Sequence, residues 1–274
     1  MTDMSDMSNM ALQENGAAGK RAAKTGGSLG KALVFASRNR REILRDPLSF
    51  IFGAGFPVVL LLLITLMKSG IPNAPAELFP LEQFAPGMAV FGFSFLALFL
   101  GNLMAGDSSS SFLSRLFASP LSARAYILGY ALPLFPLALA QGVLCFGLAF
   151  PLGLPFRPDM LGLLPLMLIP ALLYIAFGLL LGSFLQNSRQ VGGAATVLVN
   201  LAAWLSGTWF DLNLMGGAFK TVCELLPFSH VVSLVSAAVS GDWAAVPLHC
   251  LWVLGYALLI GGCAVLLFRR KMRR

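Results

Sequence analysis

The chain has 274 residues, of which 57% are hydrophobic and 11% charged, with a net charge of +7 and a mean hydropathy of +0.80. A soluble domain carries about 25% charged residues, so this composition excludes an ordinary soluble enzyme or binding module. It predicts one all-α, polytopic membrane domain rather than a spanning sheet, because the apolar stretches are continuous instead of alternating.

Residues 1–27 are rich in Met, Ser, Gly and Ala without periodicity and read as a disordered cytoplasmic tail. The segment T-G-G-S-L-G-K-A comes near a phosphate loop. Thr25 stands where glycine is needed, and Ala32 where Ser or Thr is needed. No nucleotide fingerprint of the chain's own follows, and no cofactor is expected.

Residues 28–47 predict an interfacial amphipathic helix. Ser28 can cap it. Leu29, Leu33 and Ala36 fall on one face, while Arg38, Arg41 and Arg45 gather towards the other. Asp46-Pro47 stops the helix, because proline disfavours helical geometry in the residue before it. Such a helix can lie on anionic lipid, touch a cytoplasmic partner, or do both.

Six uncharged apolar stretches follow, at about 49–67, 85–106, 126–150, 161–185, 191–210 and 250–268. At ~1.5 Å rise per residue each is long enough to cross a bilayer core of about 30 Å. Of the 19 Lys and Arg, only Lys68, Arg157 and Lys220 fall on the opposite side from the N-terminal segment, two loops and the basic tail 269–274. The positive-inside rule then puts both termini in the cytoplasm of a multi-pass cell-membrane protein. An ion-driven transporter keeps a relay charge within its spans, and an intramembrane enzyme keeps a nucleophile and base there. Neither is evident. The expectation is a non-enzymatic subunit energised by another protein. A secondary transporter and a non-catalytic membrane scaffold stand as the alternatives, and a nucleic-acid partner is not expected.

Three regions depart from plain spans and loops. Residues 107–125 read D-S-S-S-S-F-L-S-R-L-F-A-S-P-L-S-A-R-A. Phe112, Leu113, Leu116, Phe117 and Leu121 are too apolar for a solvated loop and predict a short helix with one face against something. Residues 211–249 show helical spacing on both sides of Pro227, which predicts two short outer helices that dip into the leaflet and return. Two stripes recur on single helix faces: Phe91, Phe95, Phe99 and Asn102, and Thr196, Asn200, Trp204 and Thr208. They are the candidate substrate path, although bundle packing explains a Phe stripe about as well. Cys145 and Cys263 read as apolar packers, while Cys223 and Cys250 both face outward, where a disulfide is admissible. His230 and His249 are also outward and read as solvated. No Cys or His spacing suggests a metal site.

Three segments together resemble the membrane subunit of ABC transporters of the type-2 permease family, over roughly residues 30–274. The first is the basic helix ending in Arg45-Asp46-Pro47. The second, and most specific, is Arg115-Leu116-Phe117-Ala118-Ser119-Pro120-Leu121-Ser122, followed by Tyr126-Ile127-Leu128-Gly129. The third is Leu205-Ser206-Gly207-Thr208-Trp209-Phe210, with Leu225-Leu226-Pro227. Met215-Gly216-Gly217 departs from the Pro-containing turn common in that family. The resemblance implies a permease that exports drugs, lipids or lipid-linked sugars. It implies two separate ATPase subunits and a second permease subunit, identical or not. It also implies that Arg115–Ser122 forms the coupling element that enters a groove of the ATPase. Gly178-x-x-x-Gly182 and the small residues Gly192 to Ala195 permit close helix approach, within one subunit or between two.

Overall fold

The computed structural model describes residues 28–47, 51–73, 75, 79–110, 122–210 and 212–273. Helices α1 (Ser28–Leu44), α2 (Phe56–Ser69), α3 (Leu81–Ser109), α4 (Ala123–Ala131) and α5 (Leu134–Ala149) come first. They are followed by α6 (Leu163–Leu166), α7 (Leu168–Phe184), α8 (Ser188–Leu205), α9 (Leu212–Met215), α10 (Gly217–Leu225), α11 (Pro227–Ser240) and α12 (Val246–Arg273). A π turn, Ile51–Gly55, precedes α2, and a 3₁₀ turn, Pro158–Gly162, precedes α6. No strand occurs among the described residues.

Four stretches are long and apolar enough to cross a membrane: Leu81–Ser109, Ala123–Ala149, Pro158–Phe184 and Val246–Lys271. A fifth is reached if α10 and α11, bent by 78° at Pro227, count as one. The expected first and fifth spans do not meet that measure. Helix α2 has only 14 residues, and α8 opens on Arg189 and Gln190, which lower the mean hydropathy of its 18 residues.

Helix α3 is the hub: α2, α5, α7, α8 and α11 all pack on it. Close approach to α7 depends on Gly178 and Gly182. A Cβ on Gly178 would lie 2.8 Å from Leu100 Cβ, and one on Gly182 would lie 2.5 Å from Met104 Cβ. This small-residue pair therefore seats α7 on α3 within one subunit. Gly192 and Gly193 of α8 instead face open space.

Helix α1 is amphipathic, but its buried face differs from the one expected. Ala32, Phe35, Ala36 and Asn39 are buried, at i, i+3, i+4, i+7 spacing, while Leu29 and Leu33 are exposed. The buried face lies on α4. Phe35 meets Tyr126 and Tyr130 edge-on, with ring centroids 5.8 and 4.8 Å away. Gly129 makes room for it, since a Cβ there would overlap the Phe35 ring.

The break between α10 and α11 is fully hydrogen-bonded. Pro227 opens α11 and Leu226 is extended, so the last carbonyls of α10 need partners from elsewhere. Val222 accepts from the Leu226 amide at 3.3 Å, and Cys223 from Ser229 Oγ at 2.6 Å. Glu224 accepts from His230 Nε2 at 2.8 Å, and Leu225 from Tyr256 Oη at 2.8 Å. At the same end of the bundle, Trp243 Nε1 donates to Asp159 at 3.0 Å, which pins the Pro158–Gly162 turn to the loop after α11.

Candidate functional site

The basic end of the bundle carries the most connected polar cluster. Asp107, on the last turns of α3, is almost fully buried. Arg38 of α1 grips it with two hydrogen bonds, of 2.7 and 2.8 Å. Tyr130 Oη of α4 donates to the same carboxylate at 2.9 Å. Asn39, wholly buried, accepts from Arg38 at 2.9 Å and donates to the Gly129 carbonyl at 3.0 Å. Burial opposes the Arg38 charge, but the contacts with Asp107 outweigh it and hold the guanidinium pKa above its ordinary value. Helix α12 joins the cluster, with Lys271 Nζ 3.1 Å from Ser108 Oγ and Phe268 at 5.9 Å from the Tyr126 ring.

This cluster bridges the helices on either side of the expected coupling element. Arg115, Leu116, Phe117, Ala118, Ser119, Pro120 and Leu121 lie outside the described residues. Ser122 is described, and its Oγ caps α4 by accepting from the Ala125 amide at 3.3 Å. Asp107 and Tyr130 flank the element in sequence and bond to one another.

Two groups of sequence-predicted residues meet here. Arg38 and Asp46 of the α1 segment line a cleft of about 460 Å³ together with Phe99 and Asn102 of the α3 stripe. Arg41, Arg45 and Pro47 are exposed. Above Phe99 the stripe continues as an aromatic seam: Phe95 lies 6.5 Å from Phe99, and Phe91 5.5 Å from Phe95. Phe56 of α2 covers it at 6.2 and 6.3 Å, and Trp209 reaches Phe91 at 6.4 Å.

The other stripe divides. Thr196, Asn200 and Trp204 share an exposed face of α8. Thr196 donates to the Gly192 carbonyl and Asn200 to the Thr196 carbonyl, each at 2.8 Å, so one donor of each is satisfied on the helix itself. Thr208 is not on that face. Helix α8 ends at Leu205, Gly207 turns the chain with a positive φ of 76°, and Thr208 is buried against Gly87 of α3.

Sequence reasoning misses Asp107, Tyr130 and Asn39. It assigns Asp107 to the separate 107–125 segment that follows the second span, whereas α3 continues to Ser109 and buries it. Its partner lies 69 residues earlier, and no local spacing announces the pair. His230 and His249 are not independently solvated: their Nδ1 atoms are 2.9 Å apart. Cys223 and Cys250 are free thiols. Among the described residues, no group of three His, Cys, Asp or Glu could hold a metal ion. The arrangement ties α1, α3, α4 and α12 together through polar contacts.

A search of curated proteins returns no match to the chain. A family model described as ABC-2 type transporter matches residues 31–239. That range takes in most of α1, the residues Arg38, Asn39, Asp107 and Tyr130, the 111–121 segment, α10 and nearly all of α11. It agrees with an all-helical protein that has several membrane-capable helices, and the chain belongs to the ABC-2 type transporter family as a multi-pass transmembrane permease.

Proposed function

We propose that the chain is the permease subunit of an ATP-driven exporter that moves a hydrophobic or amphipathic cargo, a drug, lipid or lipid-linked sugar. Family membership implies association with ABC ATPase subunits. In this reading two of them bind one complex, ATP is held by them, and a second permease subunit completes the path. The chain crosses the cytoplasmic membrane six times, α2 and α8 included, with both termini inside. Helices α10 and α11 form the outer re-entrant pair.

The observation that carries the coupling role is the Arg38–Asp107–Tyr130 clamp. It ties α1, α3 and α4 together, the last two being the helices that precede and follow residues 111–121 in the chain. A push on Arg115–Ser122 meets helix ends that cannot separate without exposing a buried carboxylate. The rigid α3 then carries the movement to Phe99, Phe95 and Phe91. Arg115 offers a cation to an ATPase carboxylate, and Leu116 and Phe117 offer apolar anchors.

Losing one buried aromatic anchor at an interface costs about 2 kcal/mol or more, or roughly 30-fold in affinity. Arg115→Glu and Phe117→Asp are expected to leave the membrane domain folded while weakening ATPase co-purification or separating hydrolysis from transport. Wild-type pull-down together with wild-type transport in both variants would remove the coupling role.

A further inference from the structure

At the end of the bundle opposite the Asp107 cluster, two differently surfaced hollows share one wall. The first is a cavity of about 440 Å³ with polar side chains on a mixed lining, between α10, α11, α12 and the start of α3. The second is an apolar groove of about 570 Å³ along α12, bounded by Leu248, Leu251, Gly255, Tyr256 and Leu259. Trp252 lines both. A polar pocket that opens beside an apolar groove has the shape of an amphiphile, head in one and chain in the other.

The polar lining is specific about the head. Ser229, Ser233 and Ser236 form one polar face of α11, a helix otherwise buried through Val231, Val232, Leu234 and Val235. Ser229 is bonded to the Cys223 carbonyl. Ser233 and Ser236 make no hydrogen bond to another described residue, and polar groups at membrane depth are costly unless paired.

The histidine pair supplies a further acceptor. The Glu224 carbonyl can only accept, so His230 Nε2 carries a hydrogen. A neutral His230 therefore accepts at Nδ1, and His249 must donate from its own Nδ1. This leaves Nε2 of His249, in the same cavity, as a lone-pair acceptor. The His230 ring stacks on Trp252, at 4.8 Å and 11°, which fixes the plane of the ring.

Among the described residues, Glu224 is the one formally charged side chain lining the cavity. Lys220 lies 3.6 Å from one of its oxygens. Glu224 is exposed and Lys220 half-buried, and the contact is long and hence weak, so the carboxylate can still serve a ligand. A carboxylate, an imidazole lone pair and two unpaired hydroxyls match a group with several donors and a positive charge.

We propose that this double hollow is an outer-leaflet binding site for an amphiphile with a primary ammonium head. The ammonium is held by Glu224, His249 and the Ser233–Ser236 face, and the chain lies along Gly255 beside Trp252. The site deepens the permease reading by naming a cargo class, and it rests on that reading only for the ligand's onward movement.

The test uses the full-length permease with its ATPase in nanodiscs. The probes are 11-bromoundecylammonium, 11-bromoundecyl sulfate and 11-bromoundecanol. Bromine quenching of Trp252 is read as the difference between the wild-type protein and Trp252→Phe. The ammonium probe is expected to quench at the lowest concentration. Glu224→Gln should raise its half-quenching concentration about tenfold, as loss of a charge-assisted hydrogen bond does, and leave the alcohol unchanged. Gly255→Leu should weaken all three probes, because a Cβ there meets nothing within 4 Å and a larger side chain can fill the groove without disturbing the fold.

Equal quenching by the three heads, preference for the sulfate, or indifference to Glu224→Gln would overturn the site. Quenching needs no ATP, so the two proposals fail separately. Glu224-dependent binding in a permease that pulls down no ATPase sinks the exporter reading alone. Intact ATP-coupled transport without Glu224-dependent quenching sinks the site alone.

Discussion

At the scale of single residues, the decisive contacts are those of Asp107. Its carboxylate is desolvated and accepts from both Arg38 and Tyr130. Removing one partner of such a pair leaves an uncompensated buried charge, which costs about 3 kcal/mol. Arg38→Ala should therefore lower the thermal midpoint of the purified protein more than Asp107→Asn, which keeps a hydrogen-bonding side chain without the charge. The reverse order would show that Arg38 is not the chief partner. Because the Arg38 pKa is raised in the fold, its share of stability is fully present below the ordinary arginine value. That share is lost only as pH rises through the still higher folded value, so the clamp persists across neutral pH. Tyr130 and Tyr174 make a second contrast. Both are fully buried, but the Tyr174 hydroxyl has no partner among the described residues. Tyr130→Phe is expected to destabilise by about 1–2 kcal/mol, and Tyr174→Phe to be neutral or slightly stabilising. Thermal unfolding of the two variants side by side checks this, and a larger loss in Tyr174→Phe would contradict it.

At the scale of elements, α8 is the helix whose exposed face is hardest to assign to lipid. Thr196, Asn200 and Trp204 share that face with Val197 and Leu201, and the two glycines near its start leave the backbone open. A second permease subunit or the cargo is the proposed neighbour. Asn200→Leu and Trp204→Ala should then change which compounds stimulate ATP hydrolysis, with the complex still assembled. A compound profile identical to wild type in an intact complex would make the face an ordinary lipid surface. The α3 stripe differs, because Phe56 and Trp209 already cover much of it. Its open part is the cleft at Phe99 and Asn102.

At the scale of the whole molecule, the proposed arrangement places Arg38, Asp107 and Lys271 at the cytoplasmic end and Asp159, Trp243 and the histidine pair at the other. In a cysteine-free background, an impermeant thiol reagent added outside should label cysteines placed at Asp242 and Glu77 but not at Ser110. Labelling at Ser110 from outside would invert the topology, and with it the coupling role of the segment that follows.

Much of this protein was legible from its sequence because the controlling physics is local. Uncharged runs must be helical in a bilayer, since backbone groups there have no other partner. Asp46-Pro47 and Pro227 interrupt helices through the proline ring itself. The basic α1 segment and the Arg115–Ser122 pattern carried the family resemblance, and the family match agrees with it. Local pattern could not say which face of α1 is buried. That depends on the hollow above Gly129, which receives Phe35 and exists only once α4 is in place. The end of α8 at Leu205 was equally hidden, so Thr208 lies off the stripe that four-residue spacing draws. The Arg38–Asp107 pair, the meeting of His230 with His249 and the shared wall at Trp252 all join residues distant in the chain. Charge and hydrogen-bonding capacity are properties of the sequence, but which donor meets which acceptor was decided by the packing of α1, α4, α11 and α12 around the bundle.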